Sequence, residues 1–382
     1  MKFIFIIQGE GRGHFTQALS MKELLRERGD EISAVLVGKS ASRKLPDFFI
    51  RQIGVPLYTF ESPNFLPTPQ NKRPPLIKSI LFNIRRLPAF ISGMGFIRSK
   101  INELQPDIVI NFYELLTGLT YLFMPPRVPQ ICIGHQYMFL HKDFSFPRIS
   151  GIELASLRFF TRLTALNAVK KLALSFYTFP EDTEANISVV PPLLRREVLE
   201  TRPGKGDYIH GYLLNSGYAG EIKQWHYAHP AQPLHFFWDK KGITEKLEIT
   251  PALTFHPIND RLFLDYMKNC KAYATTAGFE SVCEALFLQK PVLMIPVHVE
   301  QACNAFDALH TGAGISSDEF ELDALLDYIP RYRPNPVFHK WALSAPSLIY
   351  AALETTVKKE EKRSSLLFSL LEQLWGKTCS VI

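Results

Sequence analysis

Cysteine is scarce in this sequence, and its few cysteines are widely separated. Only five occur in 382 residues, and no two of them form a C-x-x-C pair. The common zinc-binding and redox motifs are therefore absent, and the composition suits a reducing compartment. The cysteines are Cys132, Cys270, Cys283, Cys303 and Cys379.

Long uncharged hydrophobic runs are also missing. The first apolar stretch, Phe3–Ile7, is interrupted by Gln8-Gly9-Glu10, whereas a signal-peptide core needs roughly 7–15 apolar residues. No window reaches the ~18 apolar residues of a membrane-spanning helix. We therefore expect a soluble cytoplasmic protein whose first apolar run is a buried strand.

Acidic residues are absent from residues 62–102, although this region contains seven lysines and arginines. Apolar residues such as Ile80, Phe90 and Phe96 lie between these charges. Such a stretch can lie on an anionic membrane surface, or it can pack on a core with its basic side in water. The first interpretation predicts a peripheral contact with the inner face of the cell membrane. No nucleic-acid motif accompanies the charge, so we expect no nucleic-acid partner.

Short apolar runs alternate with amphipathic stretches along most of the chain. Phe3–Ile7, Ile32–Val37 and Gln130–Gly134 have the character of buried strands, and Phe15–Arg28 has helical spacing. This alternation is typical of βαβ units, and it predicts an α/β fold with mainly parallel sheets.

A polar, turn-rich stretch at 201–206 divides the chain into two units. We predict an N-terminal Rossmann-like domain over 1–200 and a C-terminal Rossmann-like domain over 207–343. The last residues, 344–382, are expected to be helical.

A glycine-rich loop follows the first predicted strand. Gly11 and Gly13 would let the backbone approach a ligand closely at the start of the next helix. The spacing is G-x-G-x-G, and no acidic residue ends the second strand, so the loop does not fit a dinucleotide site. A P-loop is excluded because no Gly-Lys-Ser/Thr closes it.

His14 directly follows this loop, where ligands of α/β sheets bind. A histidine there can act as a general base near neutral pH, and it can also cap the helix. Glu114 and His135 follow two further predicted strands. A carboxylate next to His14 would fix its tautomer, although each of these two residues could instead be a buried polar group bonded to the backbone.

The segment 275–285 provides a second turn between a predicted strand and a helix. Backbone N–H groups near Gly278 and Ser281 could hold a phosphate there. Glu284 lies further along that helix. Glu300, Gln301 and Asn304 begin the next helix, and their carboxylate and carboxamide groups suit the hydroxyls of a sugar.

These motifs resemble those of GT-B glycosyltransferases, chiefly the UDP-glycosyltransferases of family 1 and the peptidoglycan N-acetylglucosaminyltransferases of family 28. The resemblance rests on Gly278, Glu284, the prolines Pro291 and Pro296, and Gln301 with Asn304-Ala305. The first loop and the segment 190–195, which looks like the interdomain strand, match the same families. The implied fold is two Rossmann-like domains facing each other across a cleft, with the C-terminal helices returning to the first domain.

The resemblance also implies roles for single residues. His14 would deprotonate the acceptor hydroxyl, and Glu114 would orient it. The donor diphosphate would contact Ser216, Gly217, Gly278 and Ser281, and Glu284 would bind the ribose. The remaining implied contacts are Glu300, Gln301 and Asn304 with the donor sugar, and His256 to Ile258 with the base.

Two positions depart from the family pattern. Thr276 stands where family 1 has a histidine, so one contact to the diphosphate is missing. Glu280 lies beside the expected phosphate loop, where its carboxylate would repel the ligand unless it is turned away.

The implied reaction is an inverting sugar transfer from a nucleoside-diphosphate sugar, most simply UDP-linked. No metal or other cofactor is expected, since no convincing D-x-D motif occurs. The acceptor is unknown, and a lipid-linked or cell-envelope glycan precursor is one candidate. The alternatives are a nucleotide-sugar-binding subunit without activity and a UDP-sugar 2-epimerase.

Overall fold

Two seven-stranded sheets form the frame of the molecule in a computed structural model. The structure describes residues 1–40, 43–63, 83, 85–214, 216–238, 240 and 242–358. Much of the basic stretch 62–102 and the final residues 359–382 therefore lie outside the described residues.

The N-terminal sheet is parallel throughout, in the order β3-β2-β1-β4-β5-β6-β7. Its strands are β1 (Lys2–Gln8), β2 (Glu31–Lys39), β3 (Leu57–Glu61), β4 (Ile108–Phe112), β5 (Gln130–Gly134), β6 (Lys170–Leu174) and β7 (Ile187–Val190). The helices are α1 (Arg12–Glu27), α2 (Asp47–Ile53), α3 (Leu87–Leu104), α4 (Leu115–Phe123) and α5 (Gly151–Thr164).

A short helix, α6 (Arg196–Leu199), follows β7 and leads into the second sheet. That sheet has the order β10-β11-β9-β8-β12-β13-β14 and is parallel except for the edge pair β10 and β11. Its strands are β8 (Ile209–Leu213), β9 (Leu234–Trp238), β10 (Leu247–Thr250), β11 (Leu253–Pro257), β12 (Ala272–Thr275), β13 (Val292–Met294) and β14 (Gly314–Ser316). The helices are α7 (Ala219–Ala228), α8 (Asp260–Asn269), α9 (Phe279–Phe287), α10 (Val299–Leu309), α11 (Leu322–Tyr328) and α12 (Pro336–Leu343).

The five central residues of β1, Phe3 to Ile7, are all apolar and buried, and their packing shows why. Phe3, Phe5 and Ile7 belong to one hydrophobic cluster, while Ile4 and Ile6 belong to another. Successive side chains of a strand point to opposite faces. A central parallel strand covered on both faces therefore needs apolar residues throughout.

The end of the described chain contacts the first domain. Residues 345–358 are helical, and Ile349 and Leu353 share a hydrophobic cluster with Phe15 and Leu25 of α1. The Tyr350 hydroxyl donates to the carbonyl of Leu24 at 2.5 Å. This helix thus ties the C-terminal end of the chain to the N-terminal domain.

Candidate active site

Each sheet has a topological switch point beside its central strand β1 or β8, and the loops with candidate site residues lie there. In the first sheet β1 lies between β2 and β4, and in the second β8 lies between β9 and β12. Ligands of open α/β sheets bind at the carboxyl ends of the strands beside such a switch point. The loops after β1, β4, β8 and β12 carry His14, Glu114, Ser216 and Gly278.

His14 lies in the first turn of α1 and is 8% exposed. The N-cap of α1 is Gly11, so the alternative that His14 caps the helix is wrong. Its ring stacks on Tyr113 with centroids 5.8 Å apart, and its Nδ1 lies 3.4 Å from Gln17 Oε1. Burial lowers the pKa of His14, and the carboxylate of Glu300 opposes that shift. His14 is therefore neutral near pH 7, as a general base must be.

Glu114 is fully buried and caps α4. Its Oε1 accepts from the Ser62 hydroxyl at 2.6 Å and from the Leu116 N–H at 3.0 Å. The carboxyl group fills the space where a Cβ of Gly38 would be. Neither His14 nor Glu114 has a hydrogen bond to the other among the described residues, so the role of Glu114 as orienting acid stays a prediction.

Burial raises the pKa of Glu114 to about 7. Between a carboxyl pKa of about 4.5 in the unfolded chain and about 7 in the folded protein, the folded state binds more protons, so stability falls as pH rises through this window. We expect Glu114→Gln to reduce this fall between pH 5 and pH 8 by up to roughly 3 kcal/mol, at about 1.4 kcal/mol per pKa unit. Urea unfolding at both pH values measures it. Glu103→Gln, on the exposed side of α3, should leave the pH dependence of stability unchanged. If stability falls as steeply in Glu114→Gln as in the wild type, Glu114 does not have the raised pKa.

His135 lies at the contact between the two domains. Its Nδ1 is 2.7 Å from the carbonyl of Leu174, and its ring stacks on Phe279 of α9 at 4.0 Å. Its Nε2 is 3.9 Å from Oδ2 of Asp307 in α10. Burial lowers the pKa of His135 to about 4, so this side chain is neutral and belongs to the packed interface.

The turn after β12 leads directly into α9. Gly278 is the N-cap of α9, and the Ser281 hydroxyl donates to its carbonyl at 3.2 Å. Thr276 is buried, and its hydroxyl has no partner among the described residues. First-turn N–H groups point out of a helix N-terminus, so this turn can hold an anion.

Glu280, in the first turn of α9, faces the first domain. Its carboxylate accepts a hydrogen bond from Gln17 Nε2 of α1, and it occupies the space beside Gly13, where an added Cβ would lie 2.2 Å from its Oε2. Burial and the nearby Glu300 raise the pKa of Glu280 to about 7. The departure noted in the sequence is thus a contact between the two domains.

Glu284 is 2% exposed, and Arg195 holds both of its carboxylate oxygens. Arg195 Nε donates to Oε1 at 2.6 Å and Nη2 donates to Oε2 at 2.8 Å. The third nitrogen, Nη1, donates to Asp260 Oδ1 at 2.6 Å. A carboxylate has about four acceptor positions, so ribose binding by Glu284 stays a prediction and would have to share the group with Arg195.

The three predicted sugar contacts lie at the start of α10. Glu300 Oε1 accepts from Gln136 Nε2 of the first domain at 2.9 Å. The Val297 N–H donates to Gln301 Oε1 at 2.9 Å, and Asn304 Nδ2 donates to the Ala277 carbonyl at 3.3 Å. Asn304 Oδ1 is buried without a partner in the described part of the chain. Glu300 is therefore the member of this set that contacts the opposite domain.

The other predicted positions follow β8 or lie at the end of β11. Ser216 and Gly217 form a short 3-10 turn after β8. His256 is the penultimate residue of β11. Its Nε2 lies 3.2 Å from His235 Nδ1, and burial lowers its pKa to about 4. Ile258 lines a cavity of about 760 Å³ between the domains, bordered by α2 and α8 and by Arg12 of α1.

Sequence reasoning gave no role to several residues that the structure places at this interface. They are side chains that make contacts across it. One of them, Arg195, lies in a segment that the sequence singled out, as the last residue of 190–195. The residues are Gln17, Gln136, Arg195, Asp260 and Asp307.

The family model of glycosyl transferase family 1 matches residues 1–332. The chain therefore belongs to this family. A curated relative from Halothermothrix orenii, a UDP-N-acetylglucosamine–N-acetylmuramyl-(pentapeptide) pyrophosphoryl-undecaprenol N-acetylglucosamine transferase, is 24% identical over 224 residues. That alignment covers 57% of this chain and 49% of the relative, so it spans about half of the relative's length.

Solved structures show that the fold is GT-B, as expected from the sequence. Arabidopsis thaliana UGT89C1, solved with UDP-L-rhamnose, matches with a TM-score of 0.59 at 14% identity, over 94% of this chain and 98% of that one. The spinosyn forosaminyltransferase SpnP matches with a TM-score of 0.59 at 13% identity, over 94% and 99%.

Two kinds of feature are absent from the described residues. No helix among them is long and apolar enough to cross a membrane. No group of three or more His, Cys, Asp or Glu side chains in the same part of the chain is arranged to hold a metal ion.

Proposed function

We propose that this chain is an enzyme that transfers a sugar from a UDP-sugar to an acceptor hydroxyl with inversion at the anomeric carbon. The observation that carries this proposal is the position of His14, buried and neutral, at the cleft where the α9 turn and Glu300 of the other domain approach. The family supports the class of reaction. The names of the relatives support a nucleotide-linked donor.

In the proposed reaction His14 accepts the proton of the acceptor hydroxyl while that oxygen bonds to the anomeric carbon. The bond from this carbon to the diphosphate oxygen breaks, and the nucleoside diphosphate leaves with the electron pair. The first-turn N–H groups of α9 and the turn at Ser216–Gly217 would stabilise the charge of the leaving group. These residues supply the stabilisation without a resident metal or other cofactor.

The donor site can be tested by thermal unfolding with UDP, GDP, dTDP and their sugars. A ligand that binds the folded state stabilises it, by about 2.7 kcal/mol at 100 times its Kd, and so raises the melting temperature. We expect UDP to stabilise the wild type. Gly278→Ala should lose most of this effect. Its methyl group has only Ser281 Oγ within 4 Å, at 3.6 Å, so it would project into the space at the α9 turn where the diphosphate is proposed to bind.

Gly220→Ala is the matched control for this experiment. An added Cβ there meets nothing within 4 Å, so the variant should respond to UDP like the wild type. If no nucleotide stabilises the wild type, the donor assignment fails. Binding without transfer to any acceptor would instead favour a subunit without activity.

We further propose that the acceptor is a lipid-linked precursor and that the N-terminal domain contacts an anionic membrane. Neighbouring helices α3, α4 and α5 pack against one another and carry exposed apolar side chains: Leu87, Ile91, Leu122, Phe123, Ile152 and Phe159. Basic residues on α3 and α5 complement anionic lipid.

Sedimentation with vesicles tests this membrane face. The wild type should sediment with anionic phosphatidylglycerol vesicles and not with neutral phosphatidylcholine vesicles. The double variant Phe123→Asp, Phe159→Asp should not bind either kind. Val337→Asp, at an exposed apolar side chain of the other domain, should bind like the wild type. Equal binding by both variants would show that the face on α3, α4 and α5 is not the contact.

A further inference from the structure

The orientation of the Gln17 side chain follows from its two partners. Gln17 lies three residues after His14 on α1, and it is 1% exposed. One end of its amide faces the Glu280 carboxylate, and the other end faces His14 Nδ1. At pH 8, above the pKa of about 7 of Glu280, its carboxylate is mainly ionised and only accepts hydrogen bonds. The Gln17 atom that faces Glu280 must therefore be the NH₂ group, and the atom that faces His14 must be the carbonyl oxygen.

This orientation decides which nitrogen of His14 carries the proton. An amide oxygen only accepts hydrogen bonds, so the hydrogen bond at 3.4 Å requires a proton on Nδ1. In the neutral ring Nε2 is then unprotonated and holds the lone pair. In a catalytic triad a carboxylate bonded directly to the histidine fixes its tautomer. Among the described residues no carboxylate is bonded to His14, so Gln17 takes that position here.

We propose that Glu280 and Gln17 are positioning residues, which act in series to hold His14 as its Nδ1–H tautomer with Nε2 as the base. The inference deepens the proposed function and rests on it for the catalytic role of Nε2. Since Glu280 belongs to α9 and Gln17 to α1, the C-terminal domain sets the tautomer of a base in the N-terminal domain.

Gly13 supports this arrangement independently. The Glu280 carboxyl group lies where a Cβ of residue 13 would be, with its Oε2 at 2.2 Å and its carboxyl carbon at 2.6 Å from that position. A methyl group there would displace the carboxylate from Gln17. Gly13→Ala should therefore reproduce the effect of Glu280→Ala while leaving both Gln17 and Glu280 in the sequence.

The tautomer can be measured without any substrate. In protein with ¹⁵N-labelled histidine at pH 8, the ring-nitrogen shifts distinguish Nδ1–H from Nε2–H, and the His14 signals are those missing from His14→Gln. We expect Nδ1–H in the wild type. The Nε2–H form should appear in Gln17→Met, Glu280→Ala and Gly13→Ala. Glu280→Gln should keep Nδ1–H, because its amide oxygen can still accept from Gln17.

An Nε2–H tautomer in the wild type, or an unchanged tautomer in Glu280→Ala, would overturn the proposal. Where sugar transfer is observed, Gln17→Met and Glu280→Ala should lower kcat by on the order of 10²-fold with little change in donor KM, and Glu280→Gln should recover most of it. A purely structural role would change neither the tautomer nor this split. If the tautomer behaves as expected and no transfer is found, the proposed function fails while the positioning stands.

Discussion

Replacing His14 by alanine should lower kcat by roughly 10²–10⁴-fold, the usual contribution of a general base. Donor affinity, measured by the UDP-induced thermal shift, should change little, because the diphosphate is expected to contact the other domain. The ring is buried against Tyr113 at the start of α1, so its removal deletes the base and leaves the strand and helix in place.

The pH dependence gives this prediction a second measurement. Burial is the larger influence on His14 and lowers its pKa below the ordinary value of 6.5. A base must be unprotonated, so kcat/KM should fall only as pH drops below 6.5, and this acidic limb should be absent from the residual activity of His14→Ala. A limb above 6.5 would assign the base to another group.

A matched histidine variant controls for nonspecific effects. His229 lies at the end of α7, where its Nε2 is 3.2 Å from Asp323 in an exposed pair. His229→Ala should keep kcat within a few-fold of the wild type. Wild-type turnover in His14→Ala would remove His14 as the base, whatever the outcome at other positions.

The sheets were largely predictable because buried strands have a local signature. The predicted run Gln130–Gly134 coincides with β5, and Phe3–Ile7 lies within β1, since central parallel strands are apolar on both faces. Strands β10 and β14 were not predicted. The antiparallel edge strand β10 is half-exposed, and β14 has only three residues, so neither contains a distinctive run.

The candidate site was predictable where a residue belongs to a motif, and not where its role depends on a partner. His14 and Gly278 stand at strand-to-helix turns that the sequence reveals. The contact between Gln17 and Glu280 joins residues 263 positions apart, and no local pattern encodes it. The predicted pairing of His14 with Glu114 stays a prediction; in the described residues their side chains bond Gln17 and Ser62.

The buried ion pair of Arg195 and Glu284 should dominate the stability of the domain junction. Removing one partner of a buried pair leaves an uncompensated charge and costs about 3–5 kcal/mol. We therefore expect Arg195→Met to lose about that much unfolding free energy in urea at pH 8. Arg196→Met is the matched control, because its neighbouring pair with Glu200 is exposed and should contribute no more than about 1 kcal/mol.

The loss in Arg195→Met should also depend on pH, with a sign that identifies its cause. Burial raises the pKa of Glu284, and Arg195 opposes that shift. Without Arg195 the folded-state pKa rises further, so stability is lost as pH rises through it and is retained at low pH. The variant should therefore be closer to the wild type at pH 5 than at pH 8, and a loss independent of pH would point to packing instead.

A double variant separates the charge of this pair from the space it fills. Arg195→Met with Glu284→Leu removes both charges and keeps apolar volume, and such replacements are often neutral or stabilising. We expect it to recover most of the loss of Arg195→Met, with Asp260, which is 26% exposed, solvated in place of its bond to Arg195. If the double variant is as stable as the wild type but UDP no longer raises its melting temperature, Glu284 contributes to the donor site as well as to the fold.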